Sequence, residues 1–113
     1  MSDARPRFTI SILVHGGLEH TTRCLSSVIV ATTGAEREVE VILTDNASDR
    51  ETHNLIKEAA EWLSYFRPIY NTQNLGFQEP NRRALEMAQG EFFVLLNNDT
   101  QVSTGWLQKL AKP

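Results

Sequence analysis

Two aspartates each follow an apolar run, Asp45 after VEVILT and Asp99 after FFVLLNN. An ionised carboxylate at the end of such a run can do two kinds of chemistry. Asp45 can accept a hydrogen bond from a nucleobase N–H or a ribose hydroxyl, and Asp99 can offer a hard oxygen to a divalent cation. One carboxylate is not a metal cage. A cation held at Asn97-Asn98-Asp99-Thr100 would take its remaining ligands from a diphosphate and from water, an arrangement that suits Mg2+ or Mn2+. Asp and Asn also end strands by accepting backbone hydrogen bonds in turns, and this second reading stands beside the first for both segments. A third polar segment, His15-Gly16-Gly17, carries two glycines that permit either a tight turn or the close approach of a ligand.

The elements between these segments decide whether they can meet. FTISILV (8–14) reads as a strand apolar on both faces, and Cys24, Leu25, Val28 and Ile29 recur at helical spacing from His20 to Thr33, with Gly34 to end the helix. Residues 38–44 are β-branched enough for a second strand. A helix over 49–64 follows, with Ser48 and Glu51 at capping-box spacing. Pro68 assigns the short strand 67–70 to the edge of a sheet. Pro80 sits in the first turn of a third helix that Gly90 ends, with Ala84, Leu85, Met87 and Ala88 as its apolar side. Phe92 to Leu96 form a continuous apolar strand expected to be covered on both faces, and Ser103 is placed to cap a last helix with Trp106, Leu107 and Leu110. This alternation predicts an α/β fold: a Rossmann-like, mostly parallel sheet with helices on both faces and core order 3-2-1-4. The C-terminal edge of that sheet gathers all three polar segments into one candidate crevice.

Length and composition narrow the classes. A chain of 113 residues with 41% hydrophobic and 22% charged residues fits one globular domain. Eleven Lys and Arg against 14 Asp and Glu give a net charge of −3, which disfavours a nucleic-acid surface. Cys24 is the single cysteine, so an internal disulfide and a thiolate zinc site are both excluded, and its place on the apolar side of the first helix marks it as a buried thiol. His20 and His53 have no ligand spacing with Asp99. Neither GxGxxG nor GxxxxGK[ST] occurs, against a dinucleotide-dependent dehydrogenase or a P-loop triphosphatase. A response-regulator-like module would need paired acids after the first strand, where His15-Gly16-Gly17 stands. The apolar N-terminal run is too short to span a bilayer and is a poor secretion signal, so the expected location is cytoplasmic, or the inner face of a membrane through regions outside this segment.

Taken in order, ISILVHGG, HTTRCLSSV, EVILTDNASD and YNTQNLGFQEPNRRALEMAQGEFFVLLNNDT cover residues 9–102 and resemble the N-terminal, nucleotide-sugar-binding portion of a family 2 glycosyltransferase of the A-type fold. The resemblance implies transfer of a sugar from a nucleotide diphosphate sugar to a hydroxyl-bearing saccharide, lipid or protein acceptor, as in cell-surface polysaccharide biosynthesis. It implies that Asp45 contacts the base and that His15, Gly16 and Gly17 lie beside the nucleoside, with His15 replacing a commoner small or proline-containing pattern. Asn74, Gly76 and Phe77 match an NxGF piece, with Phe77 expected as a core anchor rather than a stacking platform. Asn81 and Arg82 lie on the following helix toward the nucleotide. Asn97, Asn98 and Asp99 match a variant DxD position, with Asp99 as the ligand of a diphosphate-bound Mg2+ or Mn2+. Residues 1–113 are then expected to be one partial domain, the donor-binding half, with the acceptor half and the catalytic base supplied by a further C-terminal region or a protein partner. A non-catalytic nucleotide-sugar-binding or partner-recruiting module is the alternative.

Overall fold

The computed structural model describes residues 5–111. Its elements run β1 (Phe8–Val14), α1 (Leu18–Thr32), a 3-10 turn (Glu36–Glu38), β2 (Val39–Asn46), α2 (Arg50–Trp62), β3 (Phe66–Asn71), α3 (Gln78–Met87), β4 (Phe92–Asn97) and α4 (Trp106–Leu110). The four strands form a parallel sheet in the order β3-β2-β1-β4, as the alternation of the sequence predicts. Ile10 stands between Val41 and Val94 in register, and β3, with Pro68, lies on the edge beside β2.

This order fixes where the helices go. The chain steps outward from β1 to β2 to β3, then returns past both to β4, so right-handed crossovers place α1 and α2 on one face and α3 on the other. Ile10, Ile12 and Val14 pack with Cys24, Leu25, Val28, Ile56 and Leu107 on the first face. Ala84 of α3 is buried against the second. Alternation along the strands then sends odd-numbered β2 residues toward α2 and even-numbered ones toward α3.

Several boundaries depart from the sequence reading. α1 begins two residues early, at Leu18. Asp49, not Ser48, caps α2 by accepting from the Thr52 amide, and the helix stops at Trp62. β2 continues two residues past Thr44 because Asp45 and Asn46 still pair with Tyr70 and Asn71. α3 ends at Met87 and exposes Leu85. Gly90 therefore does not end that helix. It lies so close to β1 that a Cβ there would stand 2.5 Å from the Thr9 backbone nitrogen. β4 is not covered on both faces, since Leu95, on the α3 side, is 53% exposed. Gly105 rather than Ser103 occupies the N-cap of α4.

At the end of the sheet opposite the polar turns, Glu40 is 5% exposed yet charged. Thr9 Oγ1 (2.6 Å) and the Gln89 amide (2.5 Å) donate to its Oε2, and Arg67 Nη1 (2.7 Å) donates to Oε1. Gly90 donates to Thr9 Oγ1, and Arg67 also reaches the Met87 carbonyl. The cluster thus clamps the α3–β4 connection onto the sheet. Burial raises the Glu40 carboxyl, but these donors and the Arg67 charge outweigh it and hold its pKa below that of an ordinary glutamate. A lowered folded pKa stabilises fully above the unfolded value, and that stability is lost as pH falls through the folded one. Glu40→Gln is expected to cost about 1–3 kcal/mol at neutral pH. Thermal melts between about pH 3 and 7 should show the difference from wild type shrinking below about pH 4.5, and a constant difference would refute this role.

Candidate functional site

The strand ends opposite Glu40 open onto a cleft of about 420 Å³. Its three turns are joined to one another by hydrogen bonds. Gly16 N donates to Ser48 Oγ (2.9 Å), and His15 Nδ1 donates to the Asn46 carbonyl (2.6 Å), tying the β1–α1 turn to the end of β2. Asn98 Nδ2 donates to Thr21 Oγ1 (2.9 Å) and to the Gly16 carbonyl (3.4 Å), tying the same turn to the end of β4. Gly16 and Gly17 both adopt positive φ, +75° and +80°. At Gly17 a Cβ would also meet the His20 ring, at 2.1 Å from Nε2. Among the described residues no side chain caps α1, whose first-turn amides begin at the cleft rim.

His15, Gly17, Asn74, Asn81, Asn97 and Asn98 are brought together along the cleft. Gly16, between two lining residues, does not itself line it. Asp45 lies beneath the rim on the α2 side, 2% exposed, because it shares the odd-numbered face of β2. Its Oδ1 accepts from the Ser48 amide (2.8 Å) and its Oδ2 from His53 Nδ1 (2.6 Å), whose ring packs on Tyr70. Asp99 is exposed next to the lining residues, and among the described residues no hydrogen bond engages its carboxylate. Arg82 stands on the outer side of α3, paired with Glu79 and Glu86, outside the lining.

Four further residues take part that the sequence motifs do not mark. Asn46, not Asp45, is the β2 residue on the cleft side, and His20 also lines the cleft. Ser48 and His53 hold the turn and the carboxylate. Extending the strand alternation by two residues separates Asp45 from Asn46, whereas no local pattern announces the other three. Phe77 is not a core anchor. It is 61% exposed and lines the cleft, because Gly76, at φ +79°, turns the chain before α3 begins. Cys24 is the expected inert thiol: burial pushes its pKa up to about 11.

The sequence profile of glycosyl transferase family 2 matches residues 9–113. The chain belongs to this family. No curated protein sequence matches it. Among solved structures, Staphylococcus aureus TarS 1–349 in complex with UDP-GlcNAc superposes with a TM-score of 0.82 at 22% identity, covering 93% of this chain and 30% of that one. Mannosyltransferase PcManGT from Pyrobaculum calidifontis, in complex with GDP-Man and Mn2+, gives 0.79 at 22% identity, covering 98% and 34%. The likeness to both is one of fold, and the chain spans about a third of their length.

For this family 2 chain the donor set bears on metal use. Among the described residues no group of three or more His, Cys, Asp or Glu could hold an ion. One exposed carboxylate beside two amides fits only a cation that shares its coordination with phosphate oxygens and water. Among the described residues no helix is long and apolar enough to cross a membrane.

Proposed function

We propose that this chain binds the donor in a glycosyltransferase that moves a sugar from a nucleotide diphosphate sugar to a hydroxyl of a saccharide, lipid or protein acceptor. The observation that carries the reading is the cleft at the reversal point of a family 2 sheet, where the turns after β1 and β4, the end of β2 and the loop after β3 converge. TarS and PcManGT, solved with UDP-GlcNAc and with GDP-Man and Mn2+, share the nucleotide diphosphate sugar as a ligand class. We carry over that class, not its base or sugar.

In this reading Asp45 and the His15-Gly16-Gly17 turn orient the nucleoside, and Asn74, Asn81, Asn97 and Asn98 supply amide groups along the cleft. Asp99 faces the diphosphate. Asp99 would hold a Mg2+ or Mn2+ shared with the diphosphate, and such an ion would supply positive charge against the negative charge that develops on the leaving group. Transfer forms a bond from the acceptor oxygen to the anomeric carbon and breaks the bond from that carbon to the phosphate oxygen. The nucleoside diphosphate leaves with the electron pair, and the acceptor hydroxyl loses its proton to a base. Arg82 can join the diphosphate only by exchanging Glu79 and Glu86 for it. A cytoplasmic setting, where nucleotide sugars and a membrane's inner face are both accessible, suits this chemistry.

A calorimetric panel of nucleoside diphosphates and free sugars tests the reading. Nucleoside diphosphates should bind and free sugars should not. Uridine, thymidine and guanosine diphosphates, whose bases present a ring N–H, should bind more tightly than cytidine and adenosine diphosphates, which present none at that edge. Binding of a free sugar as tight as that of any nucleotide would overturn the proposal.

A further inference from the structure

The β3–α3 loop, residues 72–77, is exposed throughout and carries Asn74 and Phe77 to the cleft. Among the described residues, every hydrogen bond it receives from the sheet ends on the side chain of Asn46. Asn46 Nδ2 donates to Asn74 Oδ1 (2.8 Å) and the Gly76 carbonyl (2.9 Å), while Oδ1 accepts from the Leu75 amide (2.9 Å) and Asn71 Nδ2 (3.3 Å). A primary amide has two donors and two acceptor sites, so all four are consumed. Asn46 is also 2% exposed. It lies beside the cleft with nothing left to offer a ligand. Its carbonyl meanwhile takes the His15 hydrogen bond, and Arg83 on α3 reaches Asn71 Oδ1 at 3.4 Å. One residue therefore joins the β1 turn, the sheet and the loop before α3.

We propose that Asn46 is the positioning residue of this cleft: it holds the 72–77 loop in the shape that lines the site, and so sets nucleoside diphosphate affinity without touching the ligand. The affinity part rests on the donor-binding reading above. Buried amide networks of this kind rigidify only when every member is satisfied, so one lost donor releases the loop.

Asn46→Asp keeps the size and the Oδ1 acceptor but turns the second oxygen toward Asn74 Oδ1 and the Gly76 carbonyl, where a donor is needed. Asn74→Ala removes one partner at an exposed position and guards against a misfolded first variant. Amide hydrogen exchange and calorimetric titration with UDP and GDP are run on wild type, both variants and the double variant. The exchange of Leu75 and Gly76 should accelerate at least about ten-fold in Asn46→Asp, with β1 and β2 amides unchanged, and affinity should fall by about ten-fold. Asn74→Ala should accelerate Leu75 exchange by less, and the double variant should accelerate it by less than the two effects combined, since the variants share the Asn46–Asn74 contact; its affinity also carries the loss of the Asn74 amide from the cleft. A purely structural Asn46 would instead speed exchange across the sheet and spare the loop's selective response. Unchanged loop exchange in both single variants, or accelerated exchange with wild-type affinity, overturns the proposal. If the wild-type protein binds no nucleoside diphosphate of the calorimetric panel, the donor-binding reading has failed, and the exchange arm alone then decides whether Asn46 sets the loop.

Discussion

Asp99→Ala abolishes the gain in nucleoside diphosphate affinity that Mg2+ or Mn2+ confers, while leaving the metal-free affinity close to that of wild type. This result is expected from how the carboxylate is placed. Asp99 is exposed, adjoins cleft-lining Asn97 and Asn98, and meets no protein donor among the described residues. It is therefore free to coordinate, and its loss breaks no internal contact. A charge-assisted contact is worth about 1.5–3 kcal/mol, or one to two decades in affinity, and that is the size of the metal increment expected to disappear. Because the donor set cannot enclose an ion alone, metal without nucleotide should bind weakly to wild type and variant alike. The measurement is titration of both proteins with UDP and GDP, with Mn2+, with Mg2+ and with a chelator, after circular dichroism confirms folding. A full metal response in Asp99→Ala would remove Asp99 from the site. An identical wild-type affinity with metal and with chelator would remove the metal.

The sheet order and the convergence of the three turns were legible because they depend on continuous apolar runs and on crossover handedness, both properties of sequence periodicity. Pro68 marked the edge strand for a similarly local reason. Side-chain direction at the strand ends was not legible. A strand judged to stop at Thr44 makes Asp45 and Asn46 equivalent turn residues. The structure pairs them with β3 instead and sends one toward α2 and the other toward the cleft. Phe77 was misplaced because apolar character says nothing about a loop whose path is set by Asn46, thirty-one residues earlier. The α2 cap shifted by one residue because Ser48 and Asp49 are both able caps, and the Gly16 amide, distant in sequence, recruits the serine. In each case the deciding partner comes from another strand or loop, beyond the reach of any local pattern. Arg82 differs, since Glu79 and Glu86 at i−3 and i+4 were within helical reach from the outset.

Asp45→Asn is expected to weaken binding of uridine and guanosine diphosphates by one to two decades, whereas His53→Ala should tighten it by about two- to ten-fold. Each Asp45 oxygen accepts one hydrogen bond and keeps a lone pair, but the residue is 2% exposed, so a base N–H can reach an oxygen only by displacing a group that covers it. Oδ1 serves the Ser48 amide, which cannot leave without opening the turn. Oδ2 serves His53, whose side chain is 41% exposed and free to turn toward water. The base then takes the place of His53, and the net worth of a replaced hydrogen bond, about 0.5–1.5 kcal/mol, is what His53→Ala returns as affinity. Asparagine at position 45 can keep its carbonyl on Ser48 and donate its amide to His53 Nδ1 in the other tautomer, so the fold should survive the substitution. What it lacks is an acceptor for the base, and the loss is that of a charge-assisted hydrogen bond. The two variants move affinity in opposite directions only if the base reaches Oδ2. Titration of both with uridine, guanosine and adenosine diphosphates, alongside melting curves, separates the cases: unchanged affinity in Asp45→Asn leaves the carboxylate as a turn residue, and weaker binding in His53→Ala makes His53 a support for Asp45 rather than its competitor.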